Sequence, residues 1–241
     1  SGNIYLGCYA GYCNGGGGVN VYMSRKAGYF NLTGHDNVMI GDCAGFCGDN
    51  QSCNIFIGKY AGYCNHGSNN IAIGRRAGCC LSSGEYNVLI GDQAGLRVQN
   101  GNNNVGLGFQ VMTLNNVSGS QNMVIGHYTG RRLTSGSNNT FIGGGAGRYV
   151  TTGCNNTFLG PAAAYCADSA SCNVAVGSNA SAGLTHGLQN VSVGHAAGSQ
   201  NQTGHGNVAI GRSAGYGIRG SSNVSIGATS GPADSCSDTH D

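Results

Sequence analysis

The residues of this chain that could do chemistry are twelve cysteines, seven histidines, eight aspartates and one glutamate in 241 positions. Glycoside cleavage needs two carboxyl groups held across one bond. The candidates are Asp36, Asp42, Asp49, Asp92, Asp168 and Glu85, and no two of them recur as a pair. The histidines are scattered, and no C-x-x-C motif has a second ligand pair, so zinc-ligand spacing is absent. The glycine run Gly15–Gly18 is not followed by Lys-Ser/Thr, so it is no phosphate loop. The sequence therefore predicts no catalytic residue, no metal and no cofactor. What remains is disulfide chemistry. Cys47-x5-Cys53 and Cys166-x5-Cys172 share one spacing in distant parts of the chain.

A repeat positions these residues. The string Asn-apolar-x-apolar-Gly starts at Asn3, Asn20, Asn37, Asn54, Asn70, Asn87, Asn104, Asn122, Asn139, Asn156, Asn173, Asn190, Asn207 and Asn223. The thirteen spacings are 17 ten times, 16 twice and 18 once. With Asn as position 1, Gly recurs at positions 5 and 9, Ala at position 8, and Gly again three residues before the next Asn. One short β-rich run per 17 residues predicts an all-β fold, a parallel β-solenoid of 14 coils. Paired strands lie ~4.8 Å apart, which makes a rod roughly 65 Å long. One coil alone cannot offset its backbone entropy, so stacking must supply the stability. Residues 1–231 are expected to form one solenoid and residues 232–241 a short polar tail.

Residues at the same position stack into columns, and columns carry the chemistry. The Asn column is expected to be a structural amide ladder. Tyr12, Tyr29, Phe46 and Tyr63 at position 10 form a second expected ladder, with a sugar platform as the rival use. Side chains alternate along a strand, and positions 2 and 4 are expected to point inward. Position 3 would then point outward; it is never charged and often bulky (Tyr5, Tyr22, Met39, Phe56, Phe141, Phe158), which suggests a contact with another chain. Position 6 carries Asp42, Lys59, Arg75 and Asp92, read as a solvated edge. Only two spacers lack the Gly three before the Asn. They hold Gln51 and Ala170, and they are the two that carry the spaced cysteine pairs. Disulfides Cys47–Cys53 and Cys166–Cys172 are therefore expected to close those turns. Cys64 and Cys80, one coil apart at position 11, are a third expected pair. Cys8–Cys13 is an open alternative, and Cys43, Cys79, Cys154 and Cys236 have no assigned partner. Of nine N-x-S/T triplets, Asn31, Asn50, Asn116 and Asn201 lie in spacers and are the expected glycosylation acceptors.

Composition excludes several classes. Glycine fills 46 positions and proline 2, without the strict period of collagen. Glycine at this density opposes helices. No apolar run reaches the ~18 residues of a membrane span. Eleven basic and nine acidic residues give +2, no electrostatic case for nucleic acid. Dense cysteine points to an oxidising, extracellular setting.

The strings Asn37-Val-Met-Ile-Gly41, Asn54-Ile-Phe-Ile-Gly58 and Asn207-Val-Ala-Ile-Gly211 resemble the N-S-V-A-I-G repeats in the heads of trimeric autotransporter adhesins. Asn138-Asn-Thr-Phe-Ile-Gly143 and Thr152-Gly-Cys-Asn-Asn-Thr-Phe-Leu-Gly160 are more similar to the 17-residue T-G-x-x-N-T-x-I-G repeats of phage tail-fibre-like surface proteins. That resemblance implies a β-roll, homo-oligomerisation (trimers in the adhesins) and binding to a matrix or cell surface. Two functions are carried forward. The first is a non-enzymatic extracellular structural protein, a fibre or filament subunit whose partner is itself and which stacks through its coil ends. The second is an adhesin or tail-fibre shaft, a trimer that binds a receptor or glycan on a cell or virion surface.

Overall fold

The computed structural model describes residues 2–231; the expected tail 232–241, with Cys236, lies outside the described residues. The fold is an all-β parallel solenoid with a ~17-residue repeat. Its strands are Ile4–Leu6 (β1), Val21–Met23 (β2), Val38–Ile40 (β3), Ile55–Ile57 (β4), Ile71–Ile73 (β5), Val88–Ile90 (β6), Val105–Leu107 (β7), Met123–Ile125 (β8), Thr140–Ile142 (β9), Thr157–Leu159 (β10), Val174–Val176 (β11), Val191–Val193 (β12), Val208–Ile210 (β13) and Val224–Ile226 (β14). They form one 14-stranded sheet in chain order. Every pair is parallel and in register, as in Val38↔Ile55 and Val174↔Val191. Among the described residues no helix is long and apolar enough to cross a membrane.

Each strand stops after three residues because position 5 turns the chain. Gly41 sits at φ 137°, a backbone region that L side chains rarely adopt. A β-carbon there would lie 2.6 Å from the carbonyl carbon of Gly58 in the next coil. Position 9 is glycine for a different reason. A β-carbon on Gly28 would lie 2.6 Å from the Tyr22 ring, and one on Gly62 would lie 2.5 Å from Phe56. The corner closes directly over the side chain of position 3. Hydrogen bonding between coils continues round these corners: Gly28 N–H donates to the Ala44 carbonyl at 2.9 Å, and Cys47 N–H to the Tyr63 carbonyl at 2.7 Å.

The phase of the strand corrects the expectation from sequence. Position 3 points inward: Tyr22, Met39, Phe56, Leu89, Phe141 and Phe158 are all fully buried. Positions 2 and 4 point outward and are half-buried or exposed. Alternation holds, but its sign is reversed. An inward position 3 explains why that column is never charged, because burying an unpaired charge is costly. It need not touch a second chain.

The interior is completed by Ala at position 8 and by position 12, and the volumes compensate. Where position 3 is Tyr22, Met39, Phe56 or Phe158, position 12 is Asn31, Gly48, Asn65 or Ala167. Where position 3 shrinks to Ala72, Ala175 or Ala209, position 12 grows to Leu81, Leu184 or Ile218. In the 18-residue coil Gly106 leaves space that Val111, Met112 and Val117 fill; a β-carbon on Gly106 would lie 2.8 Å from the Met112 methyl. Close packing demands this exchange, since a void or an overlap each costs free energy.

Candidate interaction surfaces

The Asn column lies inside the rod. Asn37 shows its pattern. Its backbone N–H and its Nδ2 both donate to Asn20 Oδ1, at 3.0 and 3.1 Å. Nδ2 also donates to the Gln51 carbonyl at 2.9 Å, and Asn37 Oδ1 accepts the Asn54 N–H at 3.0 Å. The chain of amides runs from Asn3, which accepts from the Asn20 N–H at 2.8 Å, to Asn223, which donates to Asn207. From Asn20 to Asn207 the residues are buried. Each amide meets both of its hydrogen-bonding obligations, which is what makes burial tolerable. The column offers no surface to a ligand.

The structure holds no disulfide among the eleven cysteines of the described residues, and Cys47–Cys53, Cys166–Cys172 and Cys64–Cys80 are unbonded in it. Positions 11 and 17 belong to different corners, with the inward-turned positions 12 and 15 between them. Cys47 N–H donates forward to Tyr63, whereas Cys53 N–H donates back to His35 at 3.0 Å. The missing glycines have another cause. At position 15 a β-carbon would meet the next coil's carbonyl oxygen, at 2.5 Å on Gly187 and closer still on Gly136, and also the side chain of position 12, at 2.6 Å from Leu184 Cδ1 and 2.9 Å from Leu133 Cδ1. Gln51 and Ala170 are tolerated where position 12 is Gly48 and Ala167. The Gln51 amide occupies the space a side chain on Gly48 would take.

Cys64 packs against Cys47, not against Cys80 alone. Burial first, then the Cys47 thiol, push its pKa up to about 11. Cys80 receives a hydrogen bond from its neighbour Cys79, and this draws Cys80 down to about 6 against the effect of burial; Cys79 is raised correspondingly. The thiolate form of Cys80 is thus favoured.

Tyr12, Tyr29, Phe46 and Tyr63 stack with successive centroids 5.2 Å apart. Phe46 and Tyr63 are within 6° of parallel. Each ring covers its neighbour's face, so the stack leaves little flat surface for a sugar. The same column continues through Cys79, Leu96 and Thr113 to Arg131, Arg148 and Tyr165. There the chemistry changes. Arg131 and Arg148 lie 4.6 and 4.9 Å from the Tyr128 ring, and Arg132 lies 4.6 Å from Tyr149. Arg148 also lies 5.7 Å from Tyr165. Beyond Tyr165 the column shrinks to Ala182 and Ser199 before Tyr216, leaving a shallow groove of about 500 Å³. Sequence reasoning missed this ridge because its side chains come from three different columns, positions 7, 10 and 11; the signal was three arginines and three tyrosines at those positions in adjacent coils.

The expected glycosylation acceptors divide by burial. Asn31 and Asn201 are buried, and their amides hydrogen-bond Tyr22 and Asn190. A glycan there would need the coil opened. Asn50 and Asn116 are exposed. On the position 6 edge, Arg25 and Lys59 flank Asp42 at 2.9 and 3.8 Å, and Arg75 meets Asp92 at 2.9 Å. These pairs are exposed and contribute little. His35, Asp36 and Cys53 bring three ligand atoms within 4.8 Å of one another, all exposed. No sequence spacing marks this group, since Cys53 comes from the next coil.

The outward sheet face is the largest uniform surface. Positions 2 and 4 are aliphatic in almost every coil, with Thr140 and Thr157 the exceptions, and neither column holds a charge. Thirteen strand spacings of ~4.8 Å make it ~62 Å long. No protein-family model matches the chain, and no curated protein or solved structure matches it either.

Proposed function

We propose that this protein is a non-enzymatic extracellular structural protein, a subunit of a fibre or filament assembled by β-solenoid stacking. The observation that carries the reading is the coil-to-coil contact. It is head-to-tail, and it recurs in the same register at all thirteen strand pairs. A heterologous contact of this kind does not close on itself, and the arrangement it generates is an open stack. The aliphatic face of positions 2 and 4 supports lateral contact between rods. A strip ~62 Å long and ~10 Å wide offers ~600 Å² per copy, near the ~800 Å² per partner of a stable interface. Its ridges recur at the strand spacing, so a second copy presents a matching surface. The extracellular assignment rests on the exposed acceptors Asn50 and Asn116.

Negative-stain microscopy of the purified chain tests this reading. Long threads of uniform width are expected. Discrete rods of ~65 Å at every concentration would sink it. They would favour the second reading, a trimeric adhesin or tail-fibre shaft that binds a surface glycan or receptor. The basic aromatic ridge around Arg148 and the groove beside it are the observation in favour of that second reading, and a glycan array tests it.

A further inference from the structure

We propose that Arg131, Arg132 and Arg148, laid on Tyr128, Tyr149 and Tyr165, form a binding site for the sulfate or carboxylate groups of an acidic polysaccharide. This deepens the glycan-binding reading and stands whether or not rods join into threads.

Arg131 and Arg148 occupy the same position in adjacent coils, so two like charges project from paired backbone one strand spacing apart. Like charges directly opposite each other are destabilising. The ion pairs among the described residues engage Arg25, His35, Lys59 and Arg75 with Asp36, Asp42 and Asp92. None includes Arg131, Arg132 or Arg148. The rings hold the guanidinium groups in place at 4.6 to 5.8 Å. A guanidinium held against a ring keeps N–H groups at its edge, and that planar fork matches a sulfate or carboxylate. Arg131 spends one N–H on Gln110 Oε1 at 2.9 Å. Arg132 is exposed, and Arg148 is half-buried.

The groove identifies the rest of the ligand. It adjoins the ridge at Tyr165 and ends at Tyr216, with Ala182 and Ser199 on its floor and about 500 Å³ of space. Tyrosine walls over a small-residue floor suit the C–H faces of a sugar chain whose anionic groups reach the arginines. Single-stranded nucleic acid fits less well, because bases need free aromatic faces to stack on. Here the arginines cover the Tyr128 and Tyr149 rings.

The test is binding of the full chain, by surface plasmon resonance, to three probes: heparin, chemically desulfated heparin and an oligo-dT. Heparin is expected to bind at least tenfold more tightly than the other two, and its binding is expected to weaken steeply with salt. The R131Q/R132Q/R148Q variant should lose at least tenfold. The R131K/R132K/R148K variant keeps the charge and loses the fork, so it should lose several-fold. Arg25→Gln, which removes a paired arginine, should change nothing. The single change Arg132→Gln, at an exposed side chain, should weaken binding even if the triple variant misfolds. Equal heparin binding by Arg132→Gln and by a folded triple variant would overturn the proposal. Tighter binding of oligo-dT would transfer the ridge to nucleic acid. Binding of neutral glycans without heparin on an array would keep the adhesin reading and reject this site.

Discussion

Replacing Asn104 by alanine removes one rung of the amide ladder near the middle of the rod. Asn104 Oδ1 accepts the Asn122 N–H and Nδ2, both at 3.0 Å, and Asn104 Nδ2 donates to the Gly119 carbonyl at 3.0 Å. Asn122 Nδ2 retains the Gly136 carbonyl at 2.9 Å, and Asn87 Oδ1 retains the Asn104 backbone N–H at 3.0 Å. Two buried groups are left without a partner: the Asn122 N–H and the Gly119 carbonyl. An orphaned buried polar group costs ~1–3 kcal/mol, so the loss is ~2–6 kcal/mol. Guanidinium denaturation followed by far-UV circular dichroism measures it. Hydrogen exchange at the Asn122 amide locates it, with protection in the parent and fast exchange in the variant. The exposed residue Asn100, changed to alanine, should shift stability by under ~0.5 kcal/mol. A similarly small loss for Asn104→Ala, with the Asn122 amide still protected, would refute the argument that these hydrogen bonds carry the ladder.

Three further outcomes follow from the interior and the thiols. The Gln51 amide is buried with neither its nitrogen nor its oxygen hydrogen-bonded. Gln51→Leu should therefore raise stability, by ~1–3 kcal/mol in the same denaturation assay; a loss would show that the amide is satisfied in solution. Phe158→Ala should cost ~3–5 kcal/mol. Ile142→Thr on the outward face should cost under ~1 kcal/mol, and the reverse ranking would restore the outward reading of position 3. Alkylation of Cys80 should rise with pH through a midpoint near 6, because the thiolate is the reacting form and the Cys79 hydrogen bond favours it. In Cys79→Ala that midpoint should move up toward the ordinary thiol range, and an unchanged midpoint would reject the assignment.

The 17-residue period, the strand positions and the corner glycines were all legible in the sequence, because each depends on one residue type recurring at one place. The phase of the strand was not. Val38 and Ile40 are as apolar as Met39, so hydrophobicity alone could not choose which set is buried. The deciding signal lay in pairs, not in columns: Phe56 goes with Asn65, whereas Ala72 goes with Leu81. The two spacers assigned disulfides show the same dependence on pairs. Gln51 and Ala170 did mark two unusual spacers, but the residues that change with them are Gly48 and Ala167. Contacts between coils, such as His35 and Asp36 with Cys53 or Arg148 with Tyr128, become visible only when side chains 17 to 20 residues apart are laid beside one another.

Direct imaging of the joint between copies tests the central claim, that the coil stack continues from one molecule to the next. Cryo-electron microscopy of the purified chain should show threads many times longer than one ~62 Å rod, with β14 of one copy paired in parallel to β1 of the next at ~4.8 Å. Isolated rods, or rods joined only side by side, would contradict it.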